Sequence, residues 1–278
     1  MAKIDDPRGA FVDALARPDP EVDLGRVALL IAAEEYPELD VDLYLRRLDE
    51  LADGVRPRLS GDEGPAGVVA CINGHLFREA GFRGNHEDYY DPRNSFLNDV
   101  LERRTGIPIT LSIVYREVAS RLGFNLIGIN FPMHFVLGWP LKDDVLIVDV
   151  FQNGAILTQE DCANRLSAIT GRPVTVGPED FVSVGPQLIV RRLLNNLRAV
   201  YTQREDYRRA IAMVERMYHS MPIAEDIREM GLLHLRLKHF AEAEVAFVGY
   251  LEASPTAPDR IAIEQHLDWA RRNIPGKL

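Results

Sequence analysis

From residue 22 to residue 59 the chain reads VDLGRVALLIAAEEYPELDVDLYLRRLDELADGVRPRL. Its apolar positions recur three and four apart, a helical period that turns Leu29, Leu30, Tyr36, Leu45, Leu48 and Leu51 inward. RPRLSGDEGPAG breaks the pattern. A further amphipathic run follows, VVACINGHLFREAGF, and then RGNHEDYYDPRNS, where Gly, Asn, Asp and Pro crowd together as in a loop. SFLNDVLERRTG predicts a short helix closed by its glycine, and IPITLSIVYREVASRLG a second helix with Pro108 near its start and Gly123 just past its end.

After Gly123 the period changes from helix to strand. FNLIGINF, HFVLGW and DVLIVDVF are short runs rich in β-branched and aromatic residues, separated by turn residues, and they predict three antiparallel strands. QEDCANRL reads as a helix beyond them. From Gln187 onward the pattern is helical and repeats: Tyr207 and Ala210 recur as Phe240 and Ala243, and Pro222 as Pro255, each 33 positions on. That period marks stacked helix hairpins of the tetratricopeptide type, with a closing helix around Trp269. The expected organisation is an α+β domain over 1–186 and helical repeats over 187–278.

Composition narrows the function. In 278 residues there are 32 Lys and Arg against 42 Asp and Glu, a net charge of −10, which argues against a general nucleic-acid binder. Two cysteines without paired spacing, Cys71 and Cys162, and a first stretch without a leader pattern fit a reduced, cytoplasmic setting. No apolar run approaches the roughly 20 residues that cross a bilayer. His75 and His86 fall near the Asn-rich loop, and the adjacent His86, Glu87 and Asp88 cannot converge on one ion, so a solvated loop with neither a metal nor a cofactor is expected.

His134 and Asp149 carry the candidate chemistry. On neighbouring antiparallel strands they can meet, and a carboxylate would then orient the imidazole as in a nucleophile–His–Asp triad. The alternative is a partly buried histidine satisfied by a strand neighbour.

The run YYDPRNSFLNDVLERRTGIPITLS, with PMHF and VDVF, resembles the SirB1 family of bacterial proteins over roughly residues 25 to 270. The resemblance implies a core similar to the transglutaminase and papain-like cysteine-protease fold, backed by tetratricopeptide-like helices. It also implies a nucleophilic Cys at a helix N-terminus, packed on a sheet that bears His and then Asp; His134 and Asp149 match the last two. The helix that should carry the thiol has none, and only Thr110 and Ser112 offer hydroxyls near its start. Cys71 reads as a core residue, and Cys162 lies after the aspartate in an ordinary helix.

Two functions compete. One is a noncatalytic module that binds a protein or peptide through the cleft and the repeat helices. Asn94, Asn98, Tyr89, Tyr90 and Thr110 then supply recognition chemistry. The other is a hydrolase or acyltransferase using Ser112 or Thr110 with His134 and Asp149.

Overall fold

The computed structural model describes residues 4–18, 21–131, 134–142 and 144–275. The chain divides into two compact units, 1–190 and 191–278.

The first unit opens with α1 (Pro7–Leu15), α2 (Leu24–Glu35), α3 (Val41–Val55) and α4 (Pro65–Asn73). Aspartates cap α2 and α3: Asp23 accepts the N–H of Arg26 at 2.8 Å and Asp40 that of Leu43 at 3.0 Å. Of the six positions expected to face inward, Leu29, Leu30 and Leu48 are buried, while Tyr36, Leu45 and Leu51 are half-buried. The run after α4 continues as a π-helical segment, Gly74–Glu79. A short strand β1 (Arg83–Gly84) leads into the polar loop, and α5 (Leu97–Arg103), β2 (Thr105–Gly106) and α6 (Pro108–Arg121) follow. The helix boundaries expected for α6 hold, with Pro108 in its first turn and Gly123 at φ +88° beyond its end.

The closure of α5 differs from expectation. Arg104, at φ 55°, takes the left-handed cap, and Gly106 instead enters a parallel pairing of β2 with β1. A side chain at Gly106 would come within 2.8 Å of Thr110 Oγ1, so its smallness serves close packing.

The main sheet runs β6–β5–β4–β3–β7 and is antiparallel throughout, with β3 (Ile127–Ile129), β4 (Val136–Pro140), β5 (Val145–Asp149), β6 (Ala155–Leu157) and β7 (Ser183–Val184). Three of the strands fall in the short β-branched and aromatic runs of the sequence. The two edge strands, of three and two residues, are too short to show a period. Helix α7 (Gln159–Thr170) covers one face through Cys162 and Leu166, which pack with Ile129, Val136, Ile147 and Leu157. Asp149 shares the face of Ile147 by alternation, so its side chain emerges beneath α7.

Helix α8 (Pro186–Gln203) spans the division between the units. The second unit holds α9 (Tyr207–Ser220), α10 (Ala224–Arg236), α11 (Phe240–Ala253) and α12 (Arg260–Asn273). The repeat is visible in space: α9 begins at Tyr207 and α11 at Phe240, and Ala210 and Ala243 are both fully buried. Gly231 lets α10 and α11 approach, since a Cβ there would lie 2.5 Å from the Phe247 ring. Arg191 grips the buried Asp226 with two donors, at 2.9 and 2.6 Å. Among the described residues no strand follows β7, and no helix is long and apolar enough to cross a membrane.

Candidate functional site

The site grows from the end of β5. There the chain turns into a short 3-10 segment, and Asp149, fully buried, caps it by accepting the N–H groups of Phe151 at 3.1 Å and Gln152 at 3.3 Å. Asn153 and Gly154, both at positive φ, complete the turn. His134 sits just before β4, its own N–H donated to the Phe131 carbonyl at 3.0 Å. Pro132 and Met133, the first half of the PMHF motif, lie outside the described residues.

His134 Nε2 lies 3.0 Å from Asp149 Oδ1. The ring nitrogen is not aligned squarely on that oxygen, so the two groups lie in close contact without a linear hydrogen bond. The other carboxylate oxygen accepts from the Arg165 guanidinium, carried on α7. Burial alone would push the Asp149 carboxyl up. The His134 ring, the Arg165 charge and the Gln152 N–H outweigh it and hold the group below its ordinary value.

A cavity of 430 Å³ opens above this pair. Phe131, Val136, Leu157 and Leu166 form an apolar floor, and His86, His134 and Arg165 stand among its polar lining. Phe151 organises the rim: its ring is 4.5 Å from that of His86, 6.2 Å from Tyr89 and 6.3 Å from His134, centroid to centroid. His86 also lines a second, polar cavity of 510 Å³ beside Asn85, Asp88, Asp91, Arg93 and Arg103.

The hydroxyls are placed differently. Thr110 is fully buried; its Oγ1 donates to the Asn94 carbonyl at 2.7 Å and accepts the Ile107 N–H at 3.2 Å. Ser112 is also buried, and among the described residues its Oγ has no hydrogen-bond partner, His134 included. Neither residue lines the cavity. Cys162 does line it, yet burial pushes its thiol up to about 11, far from a thiolate at neutral pH. Cys71 is half-buried on α4 and donates to the Arg58 carbonyl at 3.3 Å.

The five candidate recognition residues separate by burial. Asn94 is buried and ties the polar loop together, donating to the carbonyls of Asp88 and Tyr89 at 2.7 and 3.2 Å and accepting from Asn85 at 3.0 Å. Asn98 is also buried, its Oδ1 without a partner among the described residues. Thr110 holds that loop to the start of α6. Tyr89 and Tyr90 stay exposed, their rings edge to face at 5.3 Å. His75 is away from the loop, with Nδ1 3.2 Å from Glu79 on the π-helical segment. No group of His, Cys, Asp and Glu able to hold a metal ion occurs among the described residues.

Sequence reasoning missed Arg165 and the organising role of Phe151. Arg165 carries no local signal, since it reaches Asp149 only because α7 folds back across the sheet. Phe151 stands in the VDVF motif, and that motif was the available signal.

An α+β domain with a His–Asp pair on an antiparallel sheet, followed by tetratricopeptide hairpins, defines a transglutaminase-like protein with an appended repeat unit. Comparison agrees: a family model described as the transglutaminase-like superfamily matches residues 42–195, and one for a tetratricopeptide repeat matches residues 197–268. A UPF0162 protein of Xylella fastidiosa is 35% identical over 92% of both chains, and UPF0162 protein PA3419 of Pseudomonas aeruginosa is 32% identical over 78% of both. F-box only protein 21 of Mus musculus is 36% identical over 47% of this chain, which is 21% of its own length. No solved structure matches. The chain belongs to the UPF0162 family, the SirB1-like proteins that join a transglutaminase-like domain to tetratricopeptide repeats.

Proposed function

We propose that this protein is a noncatalytic transglutaminase-like module that holds a protein or peptide, with the His134 cleft and the repeat helices as its binding surfaces. The observation that carries the reading is the absence, among the described residues, of a nucleophile in hydrogen-bond reach of His134. Ser112 Oγ has no partner, Thr110 Oγ1 is spent on Asn94 and Ile107, and the Cys162 thiol is held protonated by burial. Acyl transfer needs an activated nucleophile, and the imidazole has none to activate. The cleft keeps the other property of such a site, an apolar floor with a few convergent polar groups. Tetratricopeptide hairpins supply extended surfaces for protein partners. Two unpaired cysteines fit a cytoplasmic setting.

The test is an assay of wild type and His134→Ala with acyl-donor peptides and amine acceptors, together with thiol-dependent proteolysis. No turnover above background is expected from either, and iodoacetamide should change nothing. Turnover by wild type that vanishes in His134→Ala overturns the noncatalytic reading.

A further inference from the structure

The lining of the His134 cleft holds a charge asymmetry. The chain as a whole carries −10, yet among the described residues lining this cavity there is no Asp or Glu, while Arg165 and two histidines are present. Asp149 lies beneath, fully buried, with both oxygens occupied: Oδ1 by two backbone N–H groups and the His134 contact, Oδ2 by Arg165. Its charge is therefore met from within. Arg165 uses Nη1 for that contact, and among the described residues its remaining donors have no protein partner. Its side chain is 39% exposed. A guanidinium anchored at one end and free at the other is a pre-positioned anion receptor, because little side-chain freedom is left to lose on binding.

The floor asks for something else. Phe131, Val136, Leu157 and Leu166 line the cavity and are all nearly inaccessible to water. At 430 Å³ the cavity stands at the small end of ligand pockets, which run roughly 300–1,000 Å³. An occupant that satisfies both walls carries an apolar side chain and an anionic group a few bonds apart. His86 gives the direction of approach, since it lines this cavity and the 510 Å³ polar one. A chain seated by its end in the first passes over the second, whose polar lining includes Asn85, Asp88 and Arg93.

We propose that the His134 cleft takes the C-terminus of a protein or peptide, seating an apolar last side chain on its floor and holding the free α-carboxylate on the free end of Arg165, beside the His134 ring. This rests on the reading of the cleft as a peptide-binding groove and names its ligand class. Carboxylate capture of this kind selects chain ends over internal segments, since an amide in the same place has no charge to offer.

Fluorescence anisotropy of the full chain with a labelled octapeptide ending in Leu tests it. The peptide is offered as the free acid and as the carboxamide, beside a variant ending in Asp. The free acid should bind at least about tenfold tighter than the carboxamide, as a charge-assisted hydrogen bond provides. Arg165→Gln should bring the two within about twofold, and Arg165→Lys should restore part of the difference. Equal binding of acid and carboxamide by wild type overturns the C-terminal capture while leaving a peptide groove in place. No binding of either removes both readings. A variant ending in Asp that binds as tightly as the Leu-ended acid also overturns the proposal, since the apolar floor then does not read the last side chain. The acid–carboxamide comparison on wild type decides the matter even if Arg165→Gln proves poorly folded.

Discussion

Asn73 Nδ2 donates to the carbonyl of Gly154 at 2.8 Å across 81 positions of sequence. The Asn73 Oδ1 in turn accepts from the buried Tyr115 hydroxyl at 3.1 Å. The chain of contacts ties α4 and α6 to the turn that follows Asp149, and it sets where that turn places Phe151 and the carboxylate.

Gly154→Ala should damage this tie. Gly154 sits at φ +74°, and a Cβ there would lie 1.9 Å from Asn73 Oδ1. Strain in the backbone and loss of the hydrogen bond together should cost about 2–4 kcal/mol. Thermal unfolding followed by far-UV circular dichroism measures it; a melting temperature equal to wild type would refute the tie.

Asp149 should make stability depend on acid. Its carboxyl is held below the ordinary 3.8 despite its burial, chiefly by His134 and then by Arg165 and the Gln152 N–H. Its contribution is thus complete above that value and is lost as pH falls through the lower folded one. Asp149→Asn should cost about 1–3 kcal/mol at pH 7, with the deficit shrinking toward pH 3. Urea midpoints of both proteins across that range read it. A deficit constant with pH would contradict the assignment.

Glu117 should act in the opposite sense. It is buried on α6, with Oε2 2.6 Å from Arg121, and burial, outweighing that arginine, pushes its carboxyl up from 4.5. Its contribution is therefore full below 4.5 and is lost as pH rises through the higher folded value. Glu117→Gln does not titrate. The stability of wild type relative to the variant should fall as pH is raised from 4 to 8, by chemical denaturation; a flat difference would count against the shift.

Two hydroxyls on one helix should respond with opposite signs. Thr110→Val removes a donor to Asn94 and an acceptor for Ile107, and should lose about 1–2 kcal/mol. Ser112→Ala removes a buried hydroxyl that has no partner among the described residues, and should gain about 1 kcal/mol. Equilibrium unfolding of the two variants separates them. A destabilised Ser112→Ala would mean that its hydroxyl has a role in the folded protein.

What the sequence settled is what near neighbours decide. Pro108 and Gly123 bound α6 because a missing N–H and a free φ act within one turn of the helix. HFVLGW and DVLIVDVF name their strands because short β-branched and aromatic runs between turn residues suit a pleated, half-buried backbone. The repeat from Tyr207 to Phe240 marks two equivalent helix starts because each hairpin buries the same small and large residues against the next. Local cues mislead at the end of α5: its glycine, Gly106, predicts the closure, but Arg104, two residues earlier, takes the left-handed conformation, and Gly106 is needed for close packing instead. Strands β6 and β7 are too short for any period and exist because a longer neighbour offers them hydrogen bonds. Only the tertiary structure decided what stands around His134. Arg165 reaches Asp149 because α7 crosses the sheet, Phe151 gathers His86 and Tyr89 because of a turn locked by Asn73, and Ser112 makes no contact with the imidazole. Those are pair contacts between segments far apart in the chain, set by how whole elements pack, and no periodicity along one segment encodes where another will lie.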